Sequence, residues 1–256
     1  EDFFEIANYC KKMEIGFLST GFDNQSISDL NDIGMDYFKV PSGEINNLPY
    51  LRYLGSFMKP VIMSTGMATN DEIKDAINVL VKSGTSKNKI IALHCTSEYP
   101  APFEDINLLA MLNIKFLHDV KVGYSDHSKG IEVAIASAAI GAEIIEKHLT
   151  LDRNMEGPDH KASLEPNELK LMVNSIRNIE KALGSGEKKV MASEFDNKFL
   201  VRKSIVAAQD IKKGQSFTAN NLDVKRPGYG LSPMIWDDVI GRKASRDFKK
   251  DDMIEL

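Results

Sequence analysis

Short runs of β-branched and apolar residues alternate with amphipathic helical patterns over roughly the first 185 positions, and this rhythm constrains the fold most. The predicted strands are Ile15 to Ser19, Tyr37 to Val40, Val61 to Ser64, Ile90 to Cys95, Val122 to Tyr124 and Glu143 to His148. Between them, Asp71 to Ser83 places Ile73, Ala76, Ile77, Leu80 and Val81 on one helical face. Thr69 or Asn70 can cap its start, and Gly84 can follow its end. A second helix, Pro166 to Leu183, carries a stripe of Leu169, Met172, Val173, Ile176 and Leu183, with proline in its favoured first turn. Strands alternating with helices imply parallel βαβ units.

Six such units in about 185 residues is roughly 31 per unit, the spacing of an eight-unit barrel of about 250 residues. An open doubly wound sheet shares the rhythm, but it usually carries a glycine-rich turn after its first strand, and the chain has no G-x-G-x-x-G. Polar residues instead cluster at the C-terminal ends of several strands: Ser19-Thr20, Lys39 to Glu44, Ser64-Thr65, His94 to Tyr99, Ser125 to His127 and Lys147-His148. Barrel enzymes build their sites there. The expected fold is therefore α/β, a (β/α)8 TIM barrel lacking its first two βα units, over residues 1–186.

After Gly184-Ser185-Gly186 the pattern changes. A polar linker, 187–198, leads to a β-rich module over 199–256, with a strand at Arg202 to Ala207, a turn at Lys212-Lys213-Gly214 and a second β segment near Val224 to Gly228. The net charge of -5 argues against nucleic acid as a partner. No run approaches the ~20 apolar residues that cross a bilayer, so no membrane association is expected. Cys10 and Cys95 lack metal-type spacing, and no export signal precedes them, so both are expected as reduced thiols in a cytoplasmic protein.

His127, in Gly-Tyr-Ser-Asp-His, and His148, in Glu-Lys-His-Leu-Thr, follow strands that are neighbours in the barrel order. Two imidazoles with oxygen ligands suit a divalent metal; a structural hydrogen bond for each is the alternative. Lys39, Ser42 and Glu44 form a second cluster, in which the lysine can meet a phosphate or carboxylate, Ser42-Gly43 allow close approach, and Glu44 can act as a general base. Taken alone, that cluster also reads as a surface ion pair on a loop. In the loop Met155 to Ser163, Asp159 can accept from sugar hydroxyls. Nothing marks Cys95 as an activated nucleophile, and His118 reads as a surface residue.

Taken together, these residues resemble the bacterial N-acetylneuraminate (sialic acid) synthases. The resemblance rests on Phe17 to Thr20, Phe38 to Asn47 (FKVPSGEINN), Ser64 to Met67, His94 to Asp105 (HCTSEYPAPFED), Gly123 to His127, Glu146 to Thr150 and Gly157 to Pro166 (GPDHKASLEP). The tail, with Val201 to Ser204 and Lys225 to Gly228, is similar to the antifreeze-like SAF domain, a small β-clip, of those enzymes. The resemblance implies that Thr20, Lys39, Ser42, Ser97 and Ser125 line a phosphoenolpyruvate site, and that His127 and His148 hold Mn2+ or Mg2+. It further implies that Glu44 helps activate water, that Tyr99 and Asp159 contact an N-acetylated amino sugar, and that Arg226 reaches the sugar of the other subunit in a domain-swapped homodimer. The implied reaction joins phosphoenolpyruvate to N-acetylmannosamine, giving N-acetylneuraminate and phosphate.

Position 97 is serine where some relatives carry asparagine, and position 21 is glycine where many carry proline. Family members also carry two further βα units before this point, with another lysine for the phosphate, and six strands without them leave two open edges. Legionaminic and pseudaminic acid synthases run the same reaction on other sugars, and only pocket-lining residues separate them. A non-catalytic barrel remnant is the reading from a different class, and an ice-binding role for the SAF module has only its name in support.

Overall fold

In the computed structural model, which describes residues 2–256, a parallel sheet organises the first unit. Its strands run in sequential order as β1 (Phe38–Val40), β2 (Val61–Ser64), β3 (Ile90–Cys95), β4 (Lys121–Asp126) and β5 (Ile145–Lys147). Helices α1 (Asp2–Lys12) and α2 (Asn24–Ile33) precede it; α3 (Leu48–Gly55), α4 (Asn70–Ser83), α5 (Ala110–His118) and α6 (Glu132–Ala139) connect its strands, and α7 (Pro166–Leu183) follows. All four strand pairs are parallel, so the sheet curls as part of a barrel with helices on its outer face.

Alternation along the strands decides what faces where. Phe38, Val40, Val61, Met63, Ile90, Ala92, Val122 and Tyr124 join the core beneath the helices. Ile62, Ile91 and Leu93, with Ile144 beside them, form a small cluster on the inner face. Helix α4 shows why the outer layer is stable. Thr69 and Glu72 cap its start reciprocally, Gly84 follows its end at φ 126°, and Ile73, Ala76, Ile77 and Leu80 are buried. Each fully buried large aliphatic side chain there contributes about 1.5–3 kcal/mol.

Several expectations are revised. Ile15 to Ser19 forms no strand. Ile15 is 65% exposed, and the Ser19 N–H donates to Met35 Sδ rather than to a ladder partner. A parallel strand needs a neighbour to take its backbone groups, and the first three-residue strand, β1, pairs only with β2. The sheet therefore has five strands among the described residues rather than six. In α7 only Met172 and Ile176 of the expected stripe are fully buried, while Val173 and Leu183 lie exposed. His118 is buried, at 9% exposure, and not a surface residue, because it shares a helical face with the buried Met111 and Ile114 of α5.

The second unit runs from Gly186 to Leu256. The segment expected as a polar linker holds a 3-10 turn at Ala192–Glu194 and the start of α8 (Phe195–Val201). Strands β6 (Ser204–Ala207) and β7 (Leu222–Lys225) pair antiparallel, and short bridges such as Ile211 to Phe248 extend the pairing. Ile205, Ile211, Phe217, Leu222, Phe248 and Ile254 build its separate core, beside the short helix α9 (Trp236–Val239). No helix among the described residues is long and apolar enough to cross a membrane.

Candidate active site

The parity that sends Phe38 and Val40 outward sends Lys39 inward, and the same rule turns Ser64, Cys95, Ser125 and Glu146 to the inner face. Lys39 is only 8% exposed, and its Nζ donates to Ser64 Oγ at 2.9 Å and lies 3.3 Å from Glu146 Oε2. Ser125 Oγ donates to Glu146 Oε1 at 2.6 Å, so one carboxylate ties β1 to β4 across the curl of the sheet. Lys39, Ser64, Ser125 and Glu146 thus form a single polar network at one end of the strands.

The backbone turn after β2 adds an oxygen-lined gap. Gly66 N–H donates to Ser42 Oγ at 3.0 Å, and Ser42 Oγ lies 3.4 Å from Cys95 Sγ. A Cβ at position 66 would collide with Ser97 Oγ and come within 2.9 Å of Ser42 Oγ and 3.1 Å of Cys95 Sγ. The glycine leaves a small cradle of hydroxyl, thiol and N–H groups. A crevice of about 970 Å3 opens beside it between α4 and α5, sharing Thr65, Cys95 and Ser97 with its rim.

His127 and His148 meet as expected for adjacent strand ends, with ring centroids 5.5 Å apart and planes at 88°. Tyr99 covers both, 4.2 Å from the His127 ring and 5.4 Å from that of His148. Burial pushes the Tyr99 phenol pKa up, with help from nearby Cys95, Asp159 and Glu146, so it stays a hydrogen-bond donor. Burial, more than the neighbouring His148, lowers the pKa of His127 and favours the neutral ring. Asp159, at φ 67°, brings Oδ2 to 4.0 Å from His148 Nδ1.

The donor set fits a cation held by two imidazoles. His127 Nδ1 is 2.6 Å from the Thr96 carbonyl, which can only accept, so the neutral ring carries its proton on Nδ1. Ser125 commits its one proton to Glu146, which leaves His127 Nε2, 3.2 Å from Ser125 Oγ, with a lone pair free toward the inner face. No set of three or more His, Cys, Asp or Glu side chains converges as a complete cage among the described residues, so further ligands would be water or substrate.

Of the residues singled out in the sequence, Lys39, Ser42, Ser97, Tyr99, Ser125, His127, His148 and Asp159 converge on this mouth. Thr20 and Glu44 are not tied into it. Thr20 sits in the unpaired segment after α1, whose following residue, Gly21, offers its carbonyl to Tyr50 Oη at 2.8 Å. Glu44 ends a 3-10 turn and accepts from Asn47 Nδ2 at 2.5 Å. Arg226 belongs to the second unit, where its Nε donates to the Val201 carbonyl at 2.8 Å. Sequence reasoning missed Glu146 as a site residue, although it stands two positions before His148 and so shares its face of β5.

Known proteins resemble this chain over both of its units. The NeuB family model matches residues 1–188, and the SAF domain model matches residues 202–255. The chain is 51% identical to N,N'-diacetyllegionaminic acid synthase of Campylobacter jejuni over 98% of its own length and 75% of the relative's. It is 41% identical to the protein of the same name in Legionella pneumophila, covering 96% of this chain and 69% of that one. Among solved structures, the N-acetylneuraminic acid (sialic acid) synthetase of Leptospira borgpetersenii aligns with a TM-score of 0.70 at 38% identity, over 76% of this chain and 67% of the other. The chain belongs to the NeuB family and carries a C-terminal SAF domain.

Proposed function

We propose that this chain is a nonulosonic acid synthase that condenses phosphoenolpyruvate with an N-acetylated amino sugar. Carbon 3 of phosphoenolpyruvate attacks the aldehyde carbon of the open-chain sugar, water adds at carbon 2, and phosphate leaves with C–O cleavage. The observation that carries this reading is the convergence of Lys39, Ser125, Glu146, His127 and His148 on one inner-facing mouth.

Lys39 supplies a buried positive charge to the phosphate or carboxylate. Ser42 and Ser97 supply hydroxyls, and the space left at Gly66 lets an anionic oxygen approach them. Ser125 faces the same mouth, and Thr20, which lies outside the network, is assigned by the family resemblance alone. Tyr99 and Asp159 flank the histidines and meet the sugar. Glu44, held by Asn47 outside this network, is assigned as the base that activates water by the family resemblance alone. His127 and His148 would hold a divalent cation, Mn2+ or Mg2+, which when bound polarises the aldehyde oxygen. Arg226, exposed on the SAF domain, reaches the sugar of a second copy in a domain-swapped homodimer.

Identities of 51% and 41% to two N,N'-diacetyllegionaminic acid synthases favour the corresponding di-N-acetylated sugar as substrate. This reverses the order expected from the sequence, where N-acetylmannosamine stood first. N-acetylmannosamine remains the second reading, supported by the Leptospira structure. The test is to supply phosphoenolpyruvate and Mn2+ with each sugar, the pseudaminic-type sugar included, and to identify products by mass. The di-N-acetylated sugar should give the highest kcat/KM; a higher value with N-acetylmannosamine would reverse the assignment.

A further inference from the structure

Asp126 and Lys147 stand one residue before His127 and His148, and strand alternation turns them to the opposite face of the sheet. They pair at 2.9 Å between Oδ2 and Nζ, with side chains 0% and 2% exposed. They also form the last rung of the β4–β5 ladder, which is three residues long and joins the sheet to its edge strand. Asp126 Oδ1 accepts from Ser128 N at 2.9 Å and from Ser128 Oγ at 2.7 Å. Lys147 Nζ donates to the Ser128 carbonyl as well as to Asp126. One ammonium group, adjacent in sequence to His148, therefore grips the residues on both sides of His127.

Stability alone is a poor explanation for this arrangement. Burying two charges costs about as much as their attraction returns, and apolar pairs of similar volume hold elements together as well or better. An ion pair with fixed hydrogen-bond directions does something an apolar pair does not: it sets the register and separation of the two chain segments it joins. Those segments are the ones from which the two imidazoles project, and the ladder between them is three residues long. The backbone bonds of Ala101 N–H to the His127 carbonyl and of Leu164 N–H to the His148 carbonyl tie each to other segments, not to one another.

We infer that Asp126 and Lys147 are positioning residues that fix the distance and angle between the imidazoles of His127 and His148. The inference rests on the reading that these two rings act as a pair, as in the proposed function. Ser128 is the third member, locking the carboxylate and receiving the ammonium.

The test uses the double variant Asp126→Asn/Lys147→Met, which removes both charges at nearly constant volume. Its readouts are the inter-ring nuclear Overhauser contact between His127 and His148 in histidine-labelled protein and the affinity for Mn2+. The chain has five histidines, so the ring signals are assignable by single substitutions. The double variant should melt cooperatively, lose the inter-ring contact seen in the unaltered chain, and bind Mn2+ about 10–100-fold more weakly. Ser128→Ala, a milder change, should weaken the same contact and decides the matter if the double variant does not fold. A folded variant that keeps the full inter-ring contact overturns the inference, as does the absence of that contact in the unaltered chain. If the unaltered chain binds no Mn2+, the metal reading fails, and the ring contact still decides whether Asp126 and Lys147 position the pair.

Discussion

Adding one methyl group at Gly66 should disable the anion cradle without touching any charged residue. The added carbon would collide with Ser97 Oγ and press against Ser42 Oγ at 2.9 Å and Cys95 Sγ at 3.1 Å. Relief requires Ser97 to leave its rotamer and Ser42 to move from the Gly66 N–H, to which it is bonded at 3.0 Å. An off-rotamer side chain costs roughly 0.5–1.5 kcal/mol, and overpacking a filled site costs about 1–3 kcal/mol in all. Spent against ligand binding, that range is about 5- to 150-fold in affinity. In a phosphate-release assay, Gly66→Ala should raise KM for phosphoenolpyruvate by about that factor and leave KM for the sugar within a fewfold of its original value. An unchanged KM for phosphoenolpyruvate, or a rise confined to the sugar, would refute the assignment of the cradle.

Three further outcomes are expected. Tyr50→Phe removes the hydroxyl that shares its one proton between the carbonyls of Gly21 at 2.8 Å and Lys39 at 3.3 Å, and should cost about 1–3 kcal/mol in urea denaturation. A loss below a few tenths of a kcal/mol would mean that this clamp between the segment after Thr20 and β1 is not formed. His118 buries Nε2 without a partner, so His118→Leu should hold or raise stability by about 1 kcal/mol; a large loss in the same titration would contradict the burial of an unpaired nitrogen. His94, whose Nε2 is 2.7 Å from the Ile106 carbonyl, has its pKa lowered by burial. The unfolded chain takes up this proton near pH 6.5 while the folded chain does not, so the contribution is present above that pH and is lost as pH falls toward the folded value. Tm should therefore drop less steeply between pH 7 and 5 in His94→Gln than in the unaltered chain; equal slopes would rule this out.

Much of the architecture was legible because strand and helix periods differ. The strands from Phe38 onward and the helix Pro166–Leu183 follow directly from apolar spacing and from proline and glycine punctuation. Ile15 to Ser19 reads as a strand locally, yet a strand also needs a hydrogen-bonding neighbour, and that is not a local property. His118 misled for a related reason. Phe116 is 85% exposed and Leu117 lies out as well, so the apolar residues beside His118 in sequence mask the buried face that it shares with Met111 and Ile114. In the site, Lys39, Ser125, His127 and His148 were marked by their places at the C-terminal ends of strands. Glu146 was hidden inside one, and only its parity with His148 gives it away. The ties of Lys147 to Asp126 and Ser128 lie on the face turned away from the mouth, where position after a strand carries no signal.

The most direct test of the account is sugar-dependent phosphate release from phosphoenolpyruvate in the presence of Mn2+, measured beside His127→Ala. The account predicts release that requires the di-N-acetylated or N-acetylated sugar and disappears in the variant. A folded chain that releases no phosphate with any of the sugars, or that releases it equally well without His127, would contradict it.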